Sequence, residues 1–164
     1  MNDDDLCDLV TQLGVTLTAR EWRLAVAESC TGGWVAKVLT DISGSSAWFE
    51  RGFVTYSNAA KQELLDVRAA TLEAFGAVSE EVVREMAAGA LAHSQADVVL
   101  AITGIAGPGG GTPDKPVGLV WIAWARRSGA SRVAQYHFGG DRTAVRRQAV
   151  AAALQGVMRV FNDA

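Results

Sequence analysis

A short stretch of the chain, "AESCTGG" (27–33), packs a serine, a cysteine, a threonine and two glycines between an apolar run and a helix-like segment. Three kinds of chemistry suit that junction. Ser29 can cap the helix by accepting a bond from its first turn. The amides of Cys30, Thr31 and Gly32 can cradle a phosphate at the positive end of the helix. The same amides can hold an oxyanion while Ser29 or Cys30 attacks a carbonyl. Gly32 and Gly33 each cost roughly 0.5–1 kcal/mol against alanine inside a helix, so a pair of them implies a close approach to the backbone. The G-x-S-x-G elbow is not met, because Ala27 and Thr31 stand where its glycines belong.

A serine nucleophile needs a base. His93 falls near the far end of a helix and His137 in the last strand, so neither is well placed. Arginine stays protonated at neutral pH, whereas a buried lysine sheds its proton readily. Of Lys37, Lys61 and Lys115, the first projects to solvent from a helix and the last sits in a loop between Asp114 and Pro116. Lys61, in "TYSNAAKQELL", falls in the first turn of a helix capped by Ser57 or Asn58. There the helix dipole disfavours a cation and so favours the neutral amine. The alternative is a lysine lying along the surface. Tyr56 just upstream can orient that amine or relay a proton, or can be an aromatic at the core edge.

Binding groups are less sharply marked. "TGIAGPGGGTPDK" (103–115) is glycine-rich but has neither the G-x-G-x-x-G nor the G-K-[ST] signature. It is either a donor of backbone amides, with Thr103 and Gly104 as the leading contacts, or a long hairpin connection. Arg142, Arg146 and Arg147 open the last helix; Arg142 is the first choice for an anionic group, which arginine grips bidentately. Trp48 and Phe49 fit either aromatic stacking on a ligand or the core or a subunit interface.

The elements that position these residues follow from periodicity. Helices are expected at 4–20, 31–43, 58–65, 69–75, 79–94 and 141–161. Strands are expected at 23–27, 47–57, 97–103, 117–125 and 131–140. The result is a three-layer α/β/α sandwich on a mixed, mostly parallel five-stranded sheet, a single domain over 1–164. Loops 27–33, 55–61 and 103–112 leave probable strand ends, where ligands of such sheets collect.

The totals narrow the function. A net charge of −3 argues against a broad nucleic-acid surface. The acidic start "MNDDDLCDLV" is unlike a secretory signal, and no window approaches a membrane span. Cys7 and Cys30 have no CxxC spacing, so a bound metal is not expected. A cytoplasmic protein is expected.

The segments "AESCTGGWVAKVLTDISGSSAWFERGFVTYSNAAKQELLDV", "GAVSEEVV", "ITGIAGPGGGTPDKPVGLVW" and "GDRTAVRRQA" resemble the nicotinamide-nucleotide amidohydrolases of the CinA C-terminal-domain family. The likeness runs from about residue 5 to 160 and is to the stand-alone form. It implies hydrolysis of the carboxamide of nicotinamide mononucleotide to nicotinate mononucleotide and ammonia. It puts the family's nucleophile on Ser29, its lysine on Lys61 and its tyrosine on Tyr56, with no metal or organic cofactor and a homo-oligomeric assembly. The competing expectation is a nucleotide-binding or regulatory module without catalysis, which would use the same loops but not Lys61. Hydrolysis of a pyrophosphate would call for a carboxylate-held metal, and the sequence gathers no such carboxylates.

Overall fold

The computed structural model describes residues 1–162. Five strands form one sheet: β1 (Leu24–Glu28), β2 (Phe49–Val54), β3 (Val98–Gly104), β4 (Leu119–Arg126) and β5 (Ser131–His137), in the order β2-β1-β3-β4-β5. β1 pairs in parallel with β2 and β3, and β4 runs antiparallel to both β3 and β5. β4 alone is therefore reversed. Six helices cover the sheet: α1 (Asp3–Ala19), α2 (Trp34–Thr40), α3 (Asn58–Leu65), α4 (Ala69–Phe75), α5 (Glu80–Ala92) and α6 (Arg142–Val160).

Each central strand buries both faces, and the two faces differ in size. Leu24, Val26, Leu100, Ile102, Ile122 and Trp124 pack among α1, α2 and α6. Ala25, Ala27, Ala101 and Ala123 face the α5 side with Val82, Val83 and Met86. Small residues on that face let α5 lie close to the sheet. Local caps agree with the sequence: Ser57 accepts from the Ala60 amide at 3.0 Å, Ser79 from Val82 at 3.2 Å and Asp141 from Ala144 at 2.9 Å.

One expectation changes, and one open choice is decided. The second helix starts at Trp34 rather than residue 31, because residues 29–33 form a turn with Gly32 at φ +59° and Gly33 at φ +101°. A non-glycine residue in that left-handed region costs about 1–2 kcal/mol, which explains the glycine pair. Trp48 is buried against Gly14 and belongs to the core, so it is not a stacking platform; half-buried Phe49 packs against the same core.

β1, β2 and β3 end on one edge of the sheet. Their carboxyl ends deliver Ser29, Thr55–Tyr56 and Thr103–Gly104 to one place.

Candidate active site

A cavity of about 210 Å³ opens at that edge, lined by Ser29, Cys30, Tyr56, Asn58, Lys61, Ala77, Val78, Thr103, Gly104, Ala106 and Arg142. Ser29 and Lys61 are its core. Lys61 is 1% exposed, its amine drawn back from the first turn of α3 to within 3.0 Å of Ser29 Oγ. Two carbonyls accept from the same nitrogen, Thr55 at 2.9 Å and Tyr56 at 3.3 Å. A neutral amine has two N–H donors and one lone pair. Charged, the amine donates to Ser29 Oγ and to both carbonyls; neutral, it keeps the carbonyls on its two donors and can turn its lone pair to the Ser29 hydroxyl proton. Burial holds the Lys61 amine below the usual lysine range.

Ser29 itself is fixed at both ends of its backbone. Its amide donates to Ile102 at 3.1 Å and its carbonyl accepts from Gly32 at 3.0 Å. Ser29 does not cap α2; Gly33 precedes the helix, and its side-chain cap comes from elsewhere. Glu28, wholly buried, accepts from the amides of Gly33 at 3.2 Å, Val35 at 2.9 Å and Ala36 at 3.0 Å. Glu28 thus takes the amides of the helix start itself; of the Cys30, Thr31 and Gly32 amides expected as a cradle, that of Gly32 is bonded to the Ser29 carbonyl. Gly32 and Gly33 spend their amides within the turn and do not line the cavity. Thr31 is buried and also lies outside the lining. Among the described residues, the amides of Cys30 and Thr31 have no acceptor on another residue. Of the two, only Cys30 lines the cavity, so its amide is the donor left for an oxyanion.

Cys30 is a poor rival for Ser29. Its thiol is buried, and burial pushes it up to about 11, so it holds its proton at neutral pH. Its sulfur packs near Gly104, where an added Cβ would stand 3.2 Å from Cys30 Sγ and 2.7 Å from Val120 Cγ2. Gly104 is thus required by close packing. Thr103 donates to the Ala77 carbonyl at 2.8 Å and so ties the end of β3 to the loop before α5.

The Tyr56 phenol does not touch the Lys61 amine. Its oxygen accepts from Arg142 Nη2 at 3.1 Å, and Arg142 Nη1 donates to the Gly107 carbonyl at 2.7 Å. Both side chains stand at the exposed mouth, joining the second loop to the third. What reaches Lys61 from Tyr56 is its backbone carbonyl. The other candidates lie elsewhere. Arg147 pairs with Asp3 at 2.6 Å, and His93 with Asp66 at 2.6 Å. Lys37 pairs with Asp41 at 2.7 Å in solvent, and His137 is exposed on the edge strand. Lys115 donates to the Phe75 carbonyl and so pins the glycine-rich loop. Glu28, Ala77 and Val78 are not singled out by the sequence, and Asn58 is expected only as an alternative helix cap. A carboxylate ending a fully apolar strand was the available signal for Glu28; Ala77 and Val78 carry none. No group of three or more His, Cys, Asp or Glu side chains suited to a metal occurs among the described residues. Nor is any described helix long and apolar enough to cross a membrane.

The family model described as the CinA C-terminal domain matches residues 7–161. The chain belongs to the CinA C-terminal-domain family. It is 57% identical over 161 residues to the nicotinamide-nucleotide amidohydrolase PncC of Escherichia coli strain K12, covering 98% of each chain. The Pseudomonas putida protein of the same name is 49% identical over 162 residues, covering 98% of this chain and 99% of that protein. Among solved structures, the competence/damage inducible protein CihA of Agrobacterium tumefaciens superposes with a TM-score of 0.95 at 42% identity, covering 99% of this chain and 98% of that one. Full-length coverage by the CinA family establishes the α/β architecture of the chain as that of the family.

Proposed function

We propose that this chain hydrolyses the carboxamide of nicotinamide mononucleotide, giving nicotinate mononucleotide and ammonia, through a Ser29–Lys61 pair. Relatives named for this activity match the whole chain. The observation that carries the mechanism is the 3.0 Å contact between Lys61 Nζ and Ser29 Oγ in a buried setting. Neutral Lys61 takes the Ser29 proton as Oγ bonds to the carboxamide carbon. The amide of Cys30, which lines the cavity, holds the resulting oxyanion. When the tetrahedral centre collapses, the C–N bond breaks and the proton on Lys61 passes to the leaving nitrogen, so ammonia departs and an ester remains on Ser29. Water, deprotonated by the same amine, cleaves that ester, and the proton returns to Ser29.

The cavity is smaller than the roughly 300–1,000 Å³ of pockets that enclose a drug-sized ligand. It suits the reacting end of a nucleotide, with the remainder reaching Arg142 at the mouth. Tyr56 then serves by holding Arg142, and its phenol is not the proton relay. We read residues 1–164 as one catalytic domain. The free thiols of Cys7 and Cys30 fit a reducing cytoplasm, and β5, an unpaired edge, fits a homo-oligomer.

Ammonia release from nicotinamide mononucleotide in the presence of a chelator tests the reading. Turnover should survive chelation and vanish in Ser29→Ala. Binding of the nucleotide without any ammonia release would leave a non-catalytic module instead.

A further inference from the structure

The turn that carries Ser29 is gripped from behind the cavity. Arg146, on α6 and 116 positions beyond Cys30, donates from Nε to the Cys30 carbonyl at 3.1 Å. Its Nη2 donates to the Thr31 carbonyl, also at 3.1 Å. The guanidinium lies over the Trp34 ring, 5.4 Å from its centroid. Arg146 is half-buried and is not among the residues lining the cavity. Gly32 leaves room for it, since a Cβ there would stand 3.4 Å from Arg146 Nη2.

In a trans peptide the C=O and N–H bonds point in opposite directions. The Cys30 carbonyl and the Thr31 amide belong to one peptide. A guanidinium fixed on that carbonyl therefore aims the Thr31 N–H away from α6. The next peptide is locked at both ends: its Thr31 carbonyl is held by Arg146 and by the Trp34 amide at 3.0 Å, and its Gly32 amide is held by Ser29.

We propose that Arg146 is a positioning residue for the amide hydrolysis: by holding the Cys30 and Thr31 carbonyls it fixes the turn that presents Ser29 Oγ and the Cys30 N–H to the cavity. The inference rests on Ser29 being the nucleophile. It assigns Arg146 to the turn behind the nucleophile rather than to a phosphate of the substrate.

Steady-state ammonia release by Arg146→Met, Arg146→Lys and Gly32→Ala tests it, with melting temperature and near-ultraviolet circular dichroism as folding controls. Arg146→Met should lower kcat about 10²-fold, the order expected when an oxyanion donor is lost or misplaced. KM should stay within about threefold, because ground-state binding does not use this peptide. The acid limb of the kcat/KM profile should not move, because Lys61 is untouched. Arg146→Lys, whose ammonium reaches only one carbonyl, should fall between. Should Arg146→Met fail to fold, Arg146→Lys and Gly32→Ala must still lower kcat at unchanged KM. An unchanged kcat in the folded variants overturns the proposal. So does a raised KM at constant kcat, which would make Arg146 a substrate contact, or a displaced acid limb, which would make it act through Lys61. Ser29→Ala run in parallel separates the failures. Turnover persisting in Ser29→Ala removes the nucleophile and this inference with it; Ser29-dependent turnover with a wild-type Arg146→Met removes the inference alone.

Discussion

At the scale of single residues, the proposed chemistry depends on keeping one amine uncharged. Lys61 has its amine held down by burial and its two donors taken by the Thr55 and Tyr56 carbonyls. Its lone pair is available only above its lowered pKa. Activity should therefore fall as pH drops through that value, because protonation fills the lone pair, and should level off above it. A profile of kcat/KM against pH reads this directly in the free enzyme. Lys61→Arg should be inactive throughout the range, since a guanidinium never releases its proton. The types of these residues were legible in the sequence: a serine at a strand end and a lysine where a helix dipole opposes charge. The direction of the Tyr56 phenol was not. It is set by Arg142, 86 positions away, and no local pattern connects the two.

At the scale of elements, the decisive piece is a buried carboxylate. Glu28 ends β1 and caps α2 through three amides, so the helix start is satisfied from inside the fold and offers nothing to a phosphate. Periodicity found the helix and its apolar residues Val35, Val38 and Leu39. It missed the cap because a glutamate five to eight residues before the amides it binds lies outside the usual capping pattern. Glu28→Gln keeps one acceptor oxygen and leaves part of that helix start unpaired. It should destabilise the protein by ~1–3 kcal/mol, measured by urea unfolding, and lower turnover by loosening the turn at residues 29–33. A variant with wild-type stability would show that solvent can replace the carboxylate.

At the scale of the whole molecule, the site exists because three parallel strands end together and helices on both faces hold them there. The alternation of apolar strands and amphipathic helices made the layers legible, and the 126–130 turn marked the β4–β5 hairpin. The strand order was not legible, because β1 lies between β2 and β3 only through crossovers on opposite faces. Close contact of α6 with the sheet positions Arg142 and Arg146, and it depends on Gly156. A Cβ there would meet the Trp124 ring at 2.1 Å, and that ring donates to the Ala153 carbonyl at 2.8 Å. Gly156→Ala should cost ~1–3 kcal/mol by overpacking, or about 2–4 °C of melting temperature for each kcal/mol in a chain of this size. An unchanged melting temperature would mean that α6 shifts freely, and its arginines would then be poorly fixed.

The pairing of Lys61 with Ser29 is tested most directly by single-turnover ammonia release from nicotinamide mononucleotide in Lys61→Met, with folding checked by circular dichroism. Loss of the base should slow the reaction by about 10²–10⁴-fold while the nucleotide still binds. A folded Lys61→Met enzyme that releases ammonia within about threefold of the wild-type rate would show that Ser29 needs no amine.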